Sequence, residues 1–257
     1  MNTTIINKTV TLVGAGPGDV ELITLKGIKA LRKAKVVLYD ALVNTELLEE
    51  APADAIKVFV GKRNNDHALP QEQINRLIVE YALTVGDVVR LKGGDSFVFG
   101  RGHEEIAYAA AFGVETSVVP GISSSIAVPA LQQIPVTSRG VSESFWVITG
   151  CTSKKQLSGD VRLAAQSSAT VVVLMGVNSL PEIVNAFVEE AKEDTAIAII
   201  QNGSLPDEKF VLGTIANIEE RAAAANVGAP AIIIIGKVVE LHRDFVRELV
   251  LNNCQMN

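Results

Sequence analysis

The stretch 9-TVTLVGAGPGDVELITLKGIKALRKAKVVLYD-40 contains a strand, a glycine turn, a helix and a second strand. Residues 9-TVTLVG-14 and 35-KVVLYD-40 are short β-branched runs, and 21-ELITLKGIKALRKA-34 spaces its apolar residues at helical intervals. The turn 14-GAGPGD-19 has three glycines, which let backbone N–H groups approach a ligand while a helix N-terminus adds positive potential. A dinucleotide fingerprint would require glycine at position 19, where Asp19 stands, and Pro17 lies inside the turn. Asp19 would also repel a pyrophosphate. On these residues alone the turn reads as a ligand loop, as a dinucleotide site with Asp40 on the ribose, or as a structural strand–helix turn.

The same rhythm continues outward. Further strands are expected at 56–61, 87–94, 114–120, 144–150, 170–176, 195–203, 208–213 and 231–236, and helices at 70–83, 103–113 and 179–191. Continuous apolar strands separated by helices predict an α/β chain with mostly parallel sheets covered on both faces. Ten strands are many for one sheet. The segment 120-PGISSSIAVPALQQIPVTSRG-140 breaks the rhythm with three prolines and two glycines. The expected organisation is therefore two α/β domains, 1–119 and 120–257, each with about five strands, and a ligand cleft between the two sheets.

Composition narrows the function. The chain has 257 residues, a net charge of −6 and 48% hydrophobic residues, which exclude a disordered chain and disfavour general phosphate-backbone binding. Any anionic ligand must meet a local cluster of bases. Two cysteines, Cys151 and Cys254, form no CxxC pair. The opening residues lack a secretory leader pattern, and the longest apolar runs are too short to span a bilayer, so a cytoplasmic protein is expected.

Three more features bear on chemistry. The strand 87-DVVRLKGG-94 ends in Gly93-Gly94-Asp95, where a flat ligand could lie against backbone and Asp95 could accept hydrogen bonds; a solvated turn is the alternative. The loop 61-GKRNNDHALPQEQIN-75 gathers Lys62, Arg63 and His67, which suit an anionic substrate or an ordinary polar surface. His67, His103 and His242 have no metal-ligand spacing, so no metal is expected, and Cys151 at a strand end has no evident partner base.

Taken in order, 14-GAGPGDVELITLKG-27, 39-YDALV-43, 61-GKR-63 with 71-QEQIN-75, 89-VRLKGGDSFVFGRG-102, 119-VPGIS-123 and 134-IPVT-137 resemble the tetrapyrrole methylases. Most similar are the members of that family that act on uroporphyrinogen III. The resemblance implies a two-domain fold of the class III S-adenosylmethionine (SAM) methyltransferases, a homodimer, and SAM as co-substrate in the interdomain cleft. It puts SAM contacts at Pro17, Gly93, Gly94, Asp95, Val98, Ser123, Ser124, Met175 and Gly203. It also makes Asp40 the proton acceptor and Lys62 the donor, replacing the dinucleotide reading of Asp40. The implied reaction methylates C2 and C7 of uroporphyrinogen III, giving precorrin-2 for sirohaem or cobalamin. Arg63, Lys92, Arg101 and Arg139 are the candidate partners of the substrate carboxylates. The chain departs from the family pattern at Ser96, commonly proline, at His103, commonly glycine, and at Ser138, usually histidine. Another SAM methyltransferase of the same fold, acting on a precorrin or on the ribose of ribosomal RNA, and a non-catalytic nucleotide-sensing module are the rival readings. A fused dehydrogenase–chelatase module is not expected.

Overall fold

A computed structural model of the chain describes residues 7–61, 69–152, 154 and 156–245. Expectations for Lys62, Arg63, His67 and Cys254 fall outside those residues. The chain divides into two compact units, Met1–Ser123 and Ser124–Asn257.

The first unit has strands β1 (Thr9–Gly14), β2 (Val36–Tyr39), β3 (Ile56–Phe59), β4 (Val88–Lys92) and β5 (Glu115–Val119). All pair in parallel, in the order β3-β2-β4-β1-β5. Its helices are α1 (Leu25–Leu31), α2 (Gln71–Thr84) and α3 (Gly102–Ala111). Successive strand residues face opposite sides of the sheet. Val10, Leu12, Val36, Leu38 and Val88 pack with Ile74, Ile78 and Ala82 of α2 and Ala109 of α3. Val13, Val37, Val89 and Leu91 pack on the other face with Leu31 of α1, Leu47 and Leu48. Helix α1 is shorter than its apolar spacing predicts, because Ile23 and Thr24 are extended and Thr24 Oγ1 caps the helix by accepting from Gly27 N–H at 3.0 Å.

The second unit has β6 (Phe145–Thr149), β7 (Thr170–Leu174), β8 (Ala196–Gln201), β9 (Lys209–Thr214) and β10 (Ala231–Ile235), in the order β6-β7-β10-β8-β9. Its helices are α4 (Ser124–Leu131), α5 (Asp160–Gln166), α6 (Leu180–Val188) and α7 (Ile218–Ala224). This sheet corrects the expectation of mostly parallel pairing. Only β6 and β7 pair in parallel, whereas β10 is antiparallel to β7 and β8, and β8 to β9. The short 202–208 connection folds β9 back along β8, and α7 then carries the chain over β8 into the slot beside β7. Isoleucines of β10 serve both faces, Ile233 and Ile235 in one core and Ile232 and Ile234 in the other. No helix among the described residues is long and apolar enough to cross a membrane.

Asp87, in the turn before β4, accepts from Asn7 Nδ2 at 2.8 Å and Thr9 Oγ1 at 3.3 Å and pairs with Lys35 at 3.0 Å. Burial alone pushes its carboxyl up, but the bond and charge of Lys35, with the Asn7 and Thr9 bonds, hold it below its ordinary 3.8. Its stabilising contribution is therefore complete above that value and is lost as pH falls through the depressed folded-state value. Asp87→Asn is expected to flatten the acid side of the stability curve below about pH 5. Denaturant midpoints of the two proteins at a series of pH values test this, and parallel acid limbs would refute it.

Candidate active site

Five parallel strands of the first unit present their C-terminal ends along one edge, where ligands of open α/β sheets bind. The loops leaving β1, β4 and β5 are fastened to each other there by backbone. Gly16 and Gly94 exchange two N–H···O bonds, at 3.2 and 2.7 Å, and Ala15 N–H donates to Lys92 O at 2.7 Å. The Asp95 carboxylate completes the fastening: Oδ1 accepts from Phe97 N–H at 2.8 Å and Oδ2 from Gly121 N–H at 2.9 Å. A Cβ on Gly121 would lie 2.2 Å from Gly94 O, and one on Gly14 would lie 2.5 Å from Gly121 Cα. These two glycines thus allow backbone to pack on backbone. Gly94 itself has φ +63°, the left-handed region where glycine is at ease.

Beyond Asp95 the loop continues through Phe97 and Phe99, both about half exposed, to Arg101. Phe99 and Arg101 have φ of +52° and +59°, uncommon for residues with a side chain. Arg101 is exposed and pairs with Glu104 at 2.6 Å, which holds the Glu104 carboxyl below its ordinary value. Ser96 is 1% exposed, and its Oγ has no hydrogen-bond partner among the described residues. Pro17 and Val98 are half-buried at the same edge.

Asp40 directly follows β2, with its side chain 26% exposed. Its Oδ1 accepts from Arg90 Nη2 at 2.7 Å, and its Oδ2 lies 3.5 Å from Lys92 Nζ. Arg90 and Lys92 alternate with Val89 and Leu91 along β4, so both point to the face covered by α2 and α3. There Glu105 Oε1 accepts from Arg90 Nε and Nη2, each at 3.2 Å, and from Lys92 Nζ at 3.1 Å. Gln71 Nε2 also donates to Glu105 Oε1, at 3.1 Å, and to Asn75 Oδ1 at 2.9 Å. Two carboxylates and two cations form a closed ring, with three members nearly or fully buried.

This ring changes one sequence expectation and adds residues that the sequence reading missed. Lys92 is buried and held between two carboxylates, so it is not a surface cation awaiting a substrate carboxylate. Arg90, Gln71 and Asn75 lie in stretches that carry the resemblance but were given no role, and Glu105 lies just beyond them. The available signal was a strand with two alternating basic residues between apolar ones, which demands buried anionic partners.

In the second unit the C-terminal ends of β6, β7 and β8 share an edge. Met175 follows β7 with φ +56° and is 53% exposed. Gly203 follows β8, where a Cβ would fall 2.4 Å from Val128 Cγ1 of α4. Ser124 is the first residue of α4, and Ser123, before it, is buried. Arg139 is exposed in the turn closed by the Ser138–Ser142 bridge. Cys151 is half-buried, with Sγ 3.6 Å from Thr152 O. Among the described residues no group of three or more His, Cys, Asp or Glu could hold a metal ion.

Glycine loops fastened at strand ends, with an ion ring beneath one of them, define an α/β protein whose strand-end edge is built from backbone. The chain belongs to the Tetrapyrrole (Corrin/Porphyrin) Methylases, whose family pattern it matches over residues 9–219. It is 44% identical over 234 residues to a uroporphyrinogen-III C-methyltransferase of Methanocaldococcus jannaschii, covering 90% of this chain and 97% of that protein. A siroheme synthase of Pseudoalteromonas atlantica is 41% identical, but the chain spans only 50% of its length. Among solved structures, a uroporphyrin-III C-methyl transferase from Thermus thermophilus complexed with S-adenyl homocysteine is 38% identical. It aligns with a TM-score of 0.78 over 91% of this chain and 99% of that one.

Replacing Gly121 by Ala should cost about 2–3 kcal/mol or more, because Gly94 O and Gly14 cannot both withdraw without opening the sheet edge. Chemical denaturation of the variant tests the packing. A loss below about 0.5 kcal/mol, the scale of a neutral surface change, would mean that the edge yields freely.

Proposed function

We propose that the chain is a SAM-dependent uroporphyrinogen-III C-methyltransferase, methylating C2 and C7 to give precorrin-2, in the cytoplasm and as a homodimer. The observation that carries the reading is 44% identity across 97% of a relative bearing that name. The family match over 9–219 and the S-adenyl homocysteine held by the Thermus thermophilus relative support SAM as methyl source. The edge residues suit such a group: Pro17, Gly93 and Gly94 are half-buried, so backbone stays reachable beside Asp95. Val98, Ser123 and Ser124, with Met175 and Gly203 at the second unit's edge, are the remaining proposed contacts.

When bound, SAM supplies an electrophilic methyl group on a sulfonium. The chain's task is then to orient the substrate and manage its protons, and orientation alone can remove several kcal/mol of barrier. Asp40 is the proposed proton acceptor at the methylated pyrrole. Its Oδ2 is the freer oxygen, since Lys92 stands 3.5 Å away while Arg90 holds Oδ1 at 2.7 Å. Lys62 is the proposed donor. Arg63, Arg101 and Arg139 are the proposed partners of substrate carboxylates. Arg101 can exchange its exposed Glu104 for a ligand at little cost, because such surface pairs are worth about 1 kcal/mol or less.

Incubation with uroporphyrinogen III and SAM should yield products heavier by one and then two methyl groups in a mass spectrum. Absence of both, in a folded chain that binds SAM, would overturn the substrate assignment. Asp40→Asn and Lys62→Met should each slow turnover ~10²-fold or more, while SAM affinity changes less than about tenfold. Normal methylation in both variants would remove their catalytic roles. Cys151→Ser should turn over near the parental rate, and a loss of two orders of magnitude would point instead to a covalent step.

A further inference from the structure

We infer that Glu105 is a positioning residue for this reaction, acting through Arg90 and Lys92 to keep Asp40 available as a base. The inference rests on the reading of Asp40 given above. The Glu105 side chain is fully buried. Its Oε1 takes every donor, two from Arg90 and one each from Lys92 and Gln71, while Oε2 is buried with no hydrogen-bond partner among the described residues. A bare carboxylate oxygen in the interior is costly. Glu105 answers two buried cations, so removing its charge also lowers stability, and its part in the reaction rests on what the charge does to Asp40.

What the negative charge does is balance the ring. Arg90 Nη2 touches both Asp40 and Glu105, so the two carboxylates lie within about 6 Å of each other. Asp40 and Glu105 carry two negative charges and Arg90 and Lys92 two positive ones. Without Glu105, two cations would face Asp40 alone and hold it as an inert counter-ion. Gln71 of α2, which donates to Glu105, and Asn75, which accepts from Gln71, are neutral, and His103 and Glu104 lie on the exposed side of α3. Among the described residues, Glu105 is therefore the group that offsets the second cation.

The experiment is the rate–pH profile for methylation of uroporphyrinogen III by SAM, with SAM affinity measured alongside. Glu105→Gln, which keeps the shape and removes the charge, should lower turnover tenfold or more. It should also move the acid limb about one unit to lower pH, the usual effect of a charge at this range. Lys92→Met tips the ring the other way and should move the limb to higher pH. The double variant restores neutrality and should bring the limb back toward the parent, a rescue that a packing role would not produce. If Glu105→Gln does not fold, the limb of Lys92→Met must still lie above that of the double variant. Coincident limbs with slow Asp40→Asn overturn the role of Glu105 alone, whereas normal turnover by Asp40→Asn overturns both it and the assignment of Asp40.

Discussion

A guanidinium 1% exposed on a central strand is the constraint around which the first unit is arranged. An unpaired charge there would cost several kcal/mol, and breaking a buried pair commonly costs about 3–5 kcal/mol. Arg90 therefore requires anions on more than one side, and it finds Asp40 at the end of β2 and Glu105 on α3. That requirement ties a strand end to a helix face. Gln71 extends the tie to the first turn of α2, so the two helices covering this face are oriented by polar bonds as well as by Ile74, Ile78 and Ala109. Apolar packing is non-directional and would tolerate some sliding. The ring does not, because each cation must reach two carboxylates.

Strand β4 carries this constraint directly into the loop that follows. Lys92 closes the ring with its ammonium and, through its carbonyl, receives Ala15 N–H from the first glycine turn. Two residues on, Gly94 exchanges bonds with Gly16, and Asp95 clamps Gly121. The charged ring and the backbone fastening are thus consecutive on one segment, and a shift of β4 by even a fraction of an ångström moves both. In the proposed reading this couples the proton acceptor to the loops that receive SAM without a moving part.

The sequence made much of the first unit legible, because its signals are local. A glycine turn between a β-branched run and a helical spacing can be read within thirty residues, as at 9–40. The direction of strands in the second sheet is a different matter. Residues 231-AIIII-235 are apolar on both faces whichever way the strand runs, so composition cannot distinguish parallel from antiparallel. Helix α4 was hidden by Pro129, which lies within it, and by the glycines and prolines around it. The partners of Arg90 were hidden for a third reason. Asp40 and Glu105 lie 50 and 15 residues away in sequence, and only the parallel crossover brings them to one nitrogen.

Some of the chain's strained residues lie at the edges that the chemistry marks, while others, such as Gln133, Ala191 and Asn226, follow helices. Phe99 and Arg101 in the loop after β4, and Met175 and Asn202 after β7 and β8, all have positive φ. Residues with side chains hold that conformation at a cost of order 1 kcal/mol or more each, and only where the surroundings dictate it. Each unit keeps such residues just past the C-terminal ends of its strands, where the chain must reverse within a few residues. A relaxed loop could meet that need by lengthening. A short one keeps the exposed groups of Phe97, Phe99 and Met175 on a rigid base, and in the proposed reading rigidity has a chemical purpose: methyl transfer has no covalent intermediate to hold the reactants together, so the rate depends on how narrowly the protein alone fixes carbon, methyl and sulfur.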